Sequence, residues 1–222
     1  MTPVALALML KAPTAGAVKT RLAIETGAAK ACEIYRRLVE RQVRALPGDF
    51  PTIVYFDPPN AESAMRAWLQ PLADGPLAFQ PQCAGDLGAR LAAAFAHAFH
   101  HTQAAKVIAL GGDCPALDAV LLRSAAVALD RTDVVVGPAS DGGYYLLGLR
   151  APQAALFEGV AWSTAAVLEQ TRRRIRTGGL SAIELAVADD VDDLAGWRRA
   201  VAQGWLVETP TDEPVAPPLA GG

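Results

Sequence analysis

The stretch "AKVIALGGDCPALDAVLLRSAAVALDRTDVVVGPA", residues 105–139, decides the fold class. It holds two short runs, "KVIAL" and "DVVVG", apolar at every position rather than at alternate ones, with a helical pattern between them. A strand apolar on both faces belongs to a sheet covered on both sides, and a helix joining two such strands implies a largely parallel sheet. The same rhythm extends toward the N-terminus through "PVALALML", "AKACEIYRRLVERQVRAL", "PTIVYFDP", "AESAMRAWL", "GPLAFQPQ" and "DLGARLAAAFAHAFHH". Beyond residue 140 it changes to a strand in "GGYYLLGL", a helix in "TAAVLEQTRRRIRT", a strand in "LSAIELAV" and a last helix in "DLAGWRRAVAQG", which predicts a mixed, mainly parallel sheet.

The expectation is one α/β domain over residues 1–208. Residues 209–222, "TPTDEPVAPPLAGG", lack apolar periodicity and read as a disordered tail. A chain of 222 residues with a formal net charge of -3 lacks the basic excess of a nucleic-acid-binding protein. Cys32, Cys83 and Cys114 form no CxxC pair and read as reduced thiols, and no run is long enough to span a bilayer. A cytoplasmic protein without nucleic-acid or membrane partners is expected.

In a parallel sheet, ligands bind beyond the carboxyl ends of the strands, so the loops there are the candidate sites. The first loop, "KAPTAGAVKTRL" at 11–22, gathers Lys11, Lys19 and Arg21 with Gly16, a set suited to phosphate, although its spacing is not that of a P-loop. Lys30, on the following helix, reads as solvent-facing. In "LGGDCPAL" Asp113 ends a buried strand and offers a carboxylate to a hard cation such as Mg²⁺ or Mn²⁺, while Asp118 reads as a helix cap. "ASDGGYYLLGL" presents Asp141 on a Gly142–Gly143 turn, which is either a plain Asp-Gly turn or a site element. Asp189, Asp190, Asp192 and Asp193 precede the last helix, so that one metal ligand and one cap are both available. "QCAGDLGARL" sets Gly85, Asp86, Gly88 and Arg90 at a helix start, either a capped helix or a backbone shelf for a base or ribose. His97, His100 and His101 have no acidic companion for zinc, and Trp162, lying between elements, reads as a pocket residue.

Taken together, "KAPTAGAVKTRL", "QCAGDLGARL", "GGDCPAL", "SDGGYYLLGL", "WST" and "DDVDDL" resemble a bacterial family of GT-A-like nucleotide-diphospho-sugar transferases, some labelled arsenosugar-biosynthesis glycosyltransferases. That family is related to the phospholactate and molybdopterin guanylyltransferases. The resemblance implies a three-layer, Rossmann-like GT-A fold and a nucleotide-activated donor with a small-molecule acceptor. It also implies nucleotide phosphates on Lys19 and Arg21, a divalent cation on Asp113 and Asp192, and an acceptor pocket at Asp141 and Tyr144, to which Gly142, Gly143, Trp162 and Ser163 are added. The expected activity is metal-dependent glycosyl transfer, with Asp141 orienting or deprotonating the acceptor. The alternatives are nucleotidyl transfer with pyrophosphate release and nucleotide binding without turnover. The chain lacks the x-G-x-R-M first loop of the nucleotidyltransferases and has "GGDCP" in place of a full D-x-D.

Overall fold

The computed structural model describes residues 3–207; the segment expected to be a disordered tail lies outside the described residues. The strands are β1 (Val4–Lys11), β2 (Thr52–Asp57), β3 (Leu77–Pro81), β4 (Lys106–Leu110), β5 (Val134–Pro138), β6 (Tyr144–Leu149) and β7 (Ala182–Glu184). The helices are α1 (Thr20–Thr26), α2 (Ala28–Arg44), α3 (Glu62–Leu69), α4 (Leu87–Thr102), α5 (Ala119–Ala128), α6 (Val167–Thr177) and α7 (Leu194–Ala202). The strands form one mixed sheet in the order β3-β2-β1-β4-β6-β5-β7, with β6 antiparallel to both of its neighbours. The two apolar runs of residues 105–139 are therefore not neighbours, because β6 returns between them.

Period-two alternation along β1 divides the interior into two layers. Val4, Leu6, Leu8 and Leu10 face the layer that also holds Tyr35 and Val39 of α2 and Leu122 and Ala126 of α5. Ala5 and Ala7 face the opposite layer, with Leu91, Ala94, Phe95 and Ala98 of α4. Small residues on both partners, Ala5 and Ala7 against Ala94 and Ala98, pack α4 on the sheet. Each fully buried Leu or Phe contributes about 1.5–3 kcal/mol.

A third cluster joins Leu22 of α1 and Ile34 and Leu38 of α2 to Trp197 and Ala200 of α7. The short α1 is not evident in the sequence pattern, since it has seven residues, no side-chain cap and Lys19 as a left-handed N-cap at φ 48°. Gly27 at φ 83° then separates α1 from α2. With α1 and α7 folded against the first turns of α2, Lys30 is buried rather than solvent-facing, and its Nζ has no hydrogen-bond partner. No helix among the described residues is long and apolar enough to cross a membrane.

Candidate active site

A cavity of about 700 Å³ opens over the carboxyl ends of β1 and β4. Side chains from outside these strands hold its floor in place. The Tyr35 hydroxyl accepts from the Lys11 N–H at 3.0 Å and donates to the Lys11 carbonyl at 2.9 Å, and Gln42 Nε2 donates to the Gly111 carbonyl at 2.7 Å. Gly112 has to be glycine for close packing, because a Cβ there would lie 2.8 Å from Leu10 and Val39.

At the β4 side of the cavity, Lys19 Nζ lies 2.7 Å from Asp113 Oδ1 and 3.0 Å from Asp192 Oδ1. The three side chains come from the first loop, the end of β4 and the segment before α7. A hydrogen bond from Val191 N–H to the Asp113 carbonyl at 3.0 Å binds the last two segments together. Burial by itself would lower the Lys19 pKa, but Asp113 and then Asp192 more than offset it, so the ammonium titrates above the ordinary lysine range. Arg21 Nη1 stands 3.8 Å from Asp192 Oδ2 and is mostly exposed.

Of the sequence candidates, Lys11, Lys19, Arg21, Gly85, Arg90, Asp113, Asp192, Tyr144 and Ser163 line this cavity. The others lie outside its lining. Asp86 caps α4 by accepting from Ala89 N–H at 2.9 Å, which is the capped-helix alternative. Gly88 lies beneath Trp162, where a Cβ would meet Trp162 Nε1 at 2.6 Å and the Phe157 carbonyl at 2.7 Å. Trp162 accordingly packs on α4 and does not line the cavity, contrary to its reading as a pocket residue. Gly16, at φ 85°, sits in the exposed part of the first loop.

Asp141 also departs from its expected place. Its Oδ1 accepts from Gly143 N–H at 2.8 Å, it is exposed, and it is not a wall residue. Gly142 ties the same turn to α6 through Leu168 N–H, with no room for a side chain against Ala165. The carboxyl group that does enter the cavity wall between these loops is Asp190, which the sequence reading left undistinguished in its acidic run. Its Oδ1 is buried without a partner, and burial, followed by the neighbouring Asp113, pushes its pKa up to about 7. The pairing of β5 with β7, the bonding of Ala188 to Pro138 and Ser140, and the contact of Val191 with Asp113 bring Asp190 there, so no local sequence signal marks it.

Asp193 caps α7 by accepting from Gly196 N–H at 2.7 Å, and Asp189 pairs with Arg199 at 3.3 Å. The Tyr144 hydroxyl, at the cavity wall, is buried without a partner. Among the described residues no three His, Cys, Asp or Glu side chains form a ready metal site. Asp113 and Asp192 nevertheless converge on a single cationic point, the Lys19 ammonium, and two carboxylates so placed are oxygen donors of the kind a hard cation takes.

Residues 38–164 match the sequence profile of DUF2064, described as an uncharacterized protein conserved in bacteria. The chain belongs to the DUF2064 family. No protein of curated function matches it. Among solved structures, this DUF2064 chain is similar to a protein of Desulfovibrio desulfuricans G20 named as a nucleotide-diphospho-sugar transferase. The TM-score is 0.80 at 27% identity, covering 94% of this chain and 100% of that one. It is similar in fold to 4-diphosphocytidyl-2C-methyl-D-erythritol synthase of Anaerococcus prevotii DSM 20548, with TM-score 0.62 at 9% identity over 92% and 97% of the two chains. Rv0371c of Mycobacterium tuberculosis H37Rv, solved with manganese, shares the fold at TM-score 0.51 and 18% identity over 91% and 99%. The expected GT-A-like, nucleotide-diphospho-sugar transferase fold is thus the fold of this DUF2064 chain.

Proposed function

We propose that this protein is a transferase that takes a nucleotide-diphospho-sugar as donor and moves the sugar to the hydroxyl of a small acceptor. The observation that carries this reading is the convergence of Lys19, Asp113 and Asp192 at one side of a cavity of about 700 Å³, with Arg21 beside them. A buried ammonium at the carboxyl ends of the parallel strands β1 and β4 is suited to a diphosphate, whose charge it neutralises where water is scarce. Asp113 and Asp192 would hold Mg²⁺ or Mn²⁺, which supplies further neutralisation of the leaving diphosphate.

In the reaction the acceptor oxygen bonds to the anomeric carbon, the bond from that carbon to the diphosphate oxygen breaks, and the nucleoside diphosphate leaves with the electron pair. Lys19 and Arg21 hold that leaving group. The acceptor proton passes to a carboxylate, and Asp190, rather than Asp141, is the carboxylate we assign to it, because Asp190 lies in the cavity wall and has an oxygen free of protein partners. The unpartnered Tyr144 hydroxyl and Ser163, which also line the cavity, bind the acceptor. Reduced Cys32, Cys83 and Cys114 are consistent with action in the cytoplasm.

Product analysis tests the proposal. Purified protein with Mn²⁺, an acceptor panel and sugar nucleotides is expected to release nucleoside diphosphate. Release of pyrophosphate from nucleoside triphosphates instead would establish nucleotidyl transfer, and binding with no release of either would establish a nucleotide-binding protein.

A further inference from the structure

A second polar cluster lies on the opposite side of the cavity, at the ends of β2 and β3, and no role has been given to its central residue. Gln82 follows β3 directly. Its Nε2 donates to the carbonyls of Leu10 and Tyr55, each at 3.0 Å, and so bridges the carboxyl ends of β1 and β2. Because the nitrogen faces two carbonyl oxygens, the amide has one sensible orientation, with Oε1 turned toward Arg90. Arg90 Nη1 donates to Gln82 Oε1 and to Asp57 Oδ2, both at 3.3 Å, and Nε donates to the Gly85 carbonyl at 3.1 Å. The guanidinium is therefore held on two edges, while Nη2 has no protein partner among the described residues. Gln82 and Arg90 both line the cavity, beside the apolar surfaces of Met9, Leu87 and Leu91.

We propose that Gln82 and Asp57 are positioning residues that hold Arg90 so that it donates to a neutral oxygen of the nucleoside half of the donor. The inference rests on the donor reading above. Asp57 at the end of β2 and Asp113 beyond β4 are separated by two strand spacings, roughly 10 Å. A diphosphate held at Asp113 does not reach that far, so the part of the donor that meets Arg90 is the nucleoside. Asp57 already balances the Arg90 charge, which favours a neutral acceptor such as a base carbonyl or a ribose hydroxyl over another phosphate. The apolar surfaces alongside suit a flat ring. Gln82 differs from an ordinary surface glutamine in that both of its amide donors and its oxygen are committed to the architecture of this wall.

The experiment is calorimetric titration of uridine, cytidine, guanosine and adenosine diphosphates and of inorganic pyrophosphate into wild type, Gln82→Ala, Asp57→Asn, Arg90→Met and the double variant Gln82→Ala/Arg90→Met. Arg90→Met is expected to weaken the preferred nucleoside diphosphate by about tenfold or more, the scale of a lost charge-assisted hydrogen bond, and to leave pyrophosphate binding unchanged. Gln82→Ala should reproduce most of that loss, and the double variant should be no weaker than Arg90→Met alone, because Gln82 acts through Arg90. A loss that differs among the four bases identifies the base as the partner; an equal loss identifies the ribose. If pyrophosphate binding falls in parallel, or if the two single effects add, Gln82 is a structural residue only and the proposal fails. Should Gln82→Ala not fold, Asp57→Asn, which keeps an acceptor oxygen but lowers the charge, must give the same selective loss. Wild type that binds pyrophosphate and no nucleoside diphosphate would overturn the donor reading itself, a result distinct from normal nucleotide binding in Arg90→Met.

Discussion

Lys19 Nζ sits 2.7 Å from Asp113 Oδ1, and this one pair joins the first loop of the chain to the end of its fourth strand, 94 residues later. The pair places a cation-anion contact where the donor's diphosphate and its counter-ion are proposed to bind. Lys19→Met is expected to weaken nucleoside diphosphate binding at least tenfold by calorimetry, since it removes a charge-assisted phosphate contact.

The same lysine sets a pH dependence. Its folded-state pKa is raised above the ordinary value of 10.5, so its contribution to stability is complete below that value and is lost as pH rises through the raised one. At pH 8 Lys19→Met should be less stable than wild type by about 1–2 kcal/mol, a modest figure because both carboxylates are more than a third exposed and screened by solvent. Thermal melts from pH 8 to beyond pH 11 should show the gap between the two proteins closing only at the alkaline end. A gap that closes near neutral pH would assign the effect to another group.

The acids around Lys19 and the acid that caps α7 should behave differently. Asp113→Asn and Asp192→Asn are each expected to abolish the Mn²⁺-dependent gain in nucleotide affinity while leaving the fold intact. Asp193→Asn should keep that gain, and Asp193→Ala should lose about 1 kcal/mol of stability through its cap on Gly196 N–H. Titrations with and without Mn²⁺, alongside urea unfolding, separate the two effects.

Turnover distinguishes the two carboxylates near the acceptor wall. Asp190→Asn should reduce kcat by about two orders of magnitude or more with little change in donor affinity, as loss of a general base does. Asp141→Asn, whose amide oxygen still accepts from Gly143 N–H, should retain most of the activity. The reverse ranking would return the base to Asp141.

Tyr144→Phe is expected to stabilise the protein by about 1 kcal/mol, because it removes a buried hydroxyl that has no protein partner, and to raise the KM for the acceptor. Unchanged KM together with unchanged stability would show that the hydroxyl is satisfied by water.

Two glycines of the expected site differ in the same physical terms. Gly88→Ala drives a Cβ into Trp162 and the Phe157 carbonyl and should cost about 1–3 kcal/mol or more from overpacking alone. Gly16→Ala meets nothing within 4 Å but must adopt φ 85°, so its smaller cost, about 1 kcal/mol, comes from the backbone. Urea unfolding of both variants checks the order.

The sequence by itself determined the layered α/β fold, since a strand such as β4 (Lys106–Leu110), whose residues 107–110 are apolar on both faces, is stable only when helices cover both sides. It also determined the cap at Asp118 and offered those the structure shows at Asp86 and Asp193, because an aspartate before an apolar helical run bonds to a backbone N–H three residues on, a relationship local to the chain. The tertiary structure alone decided which charged groups meet. Lys19 is separated from Asp192 by 173 residues, and their contact depends on β4 lying beside β1 and on Val191 bonding to Asp113. It likewise exchanged Asp141 for Asp190 in the cavity wall and turned Trp162 onto α4, since cavity access depends on how loops from different strands pack together, and neighbouring residues carry no record of that packing.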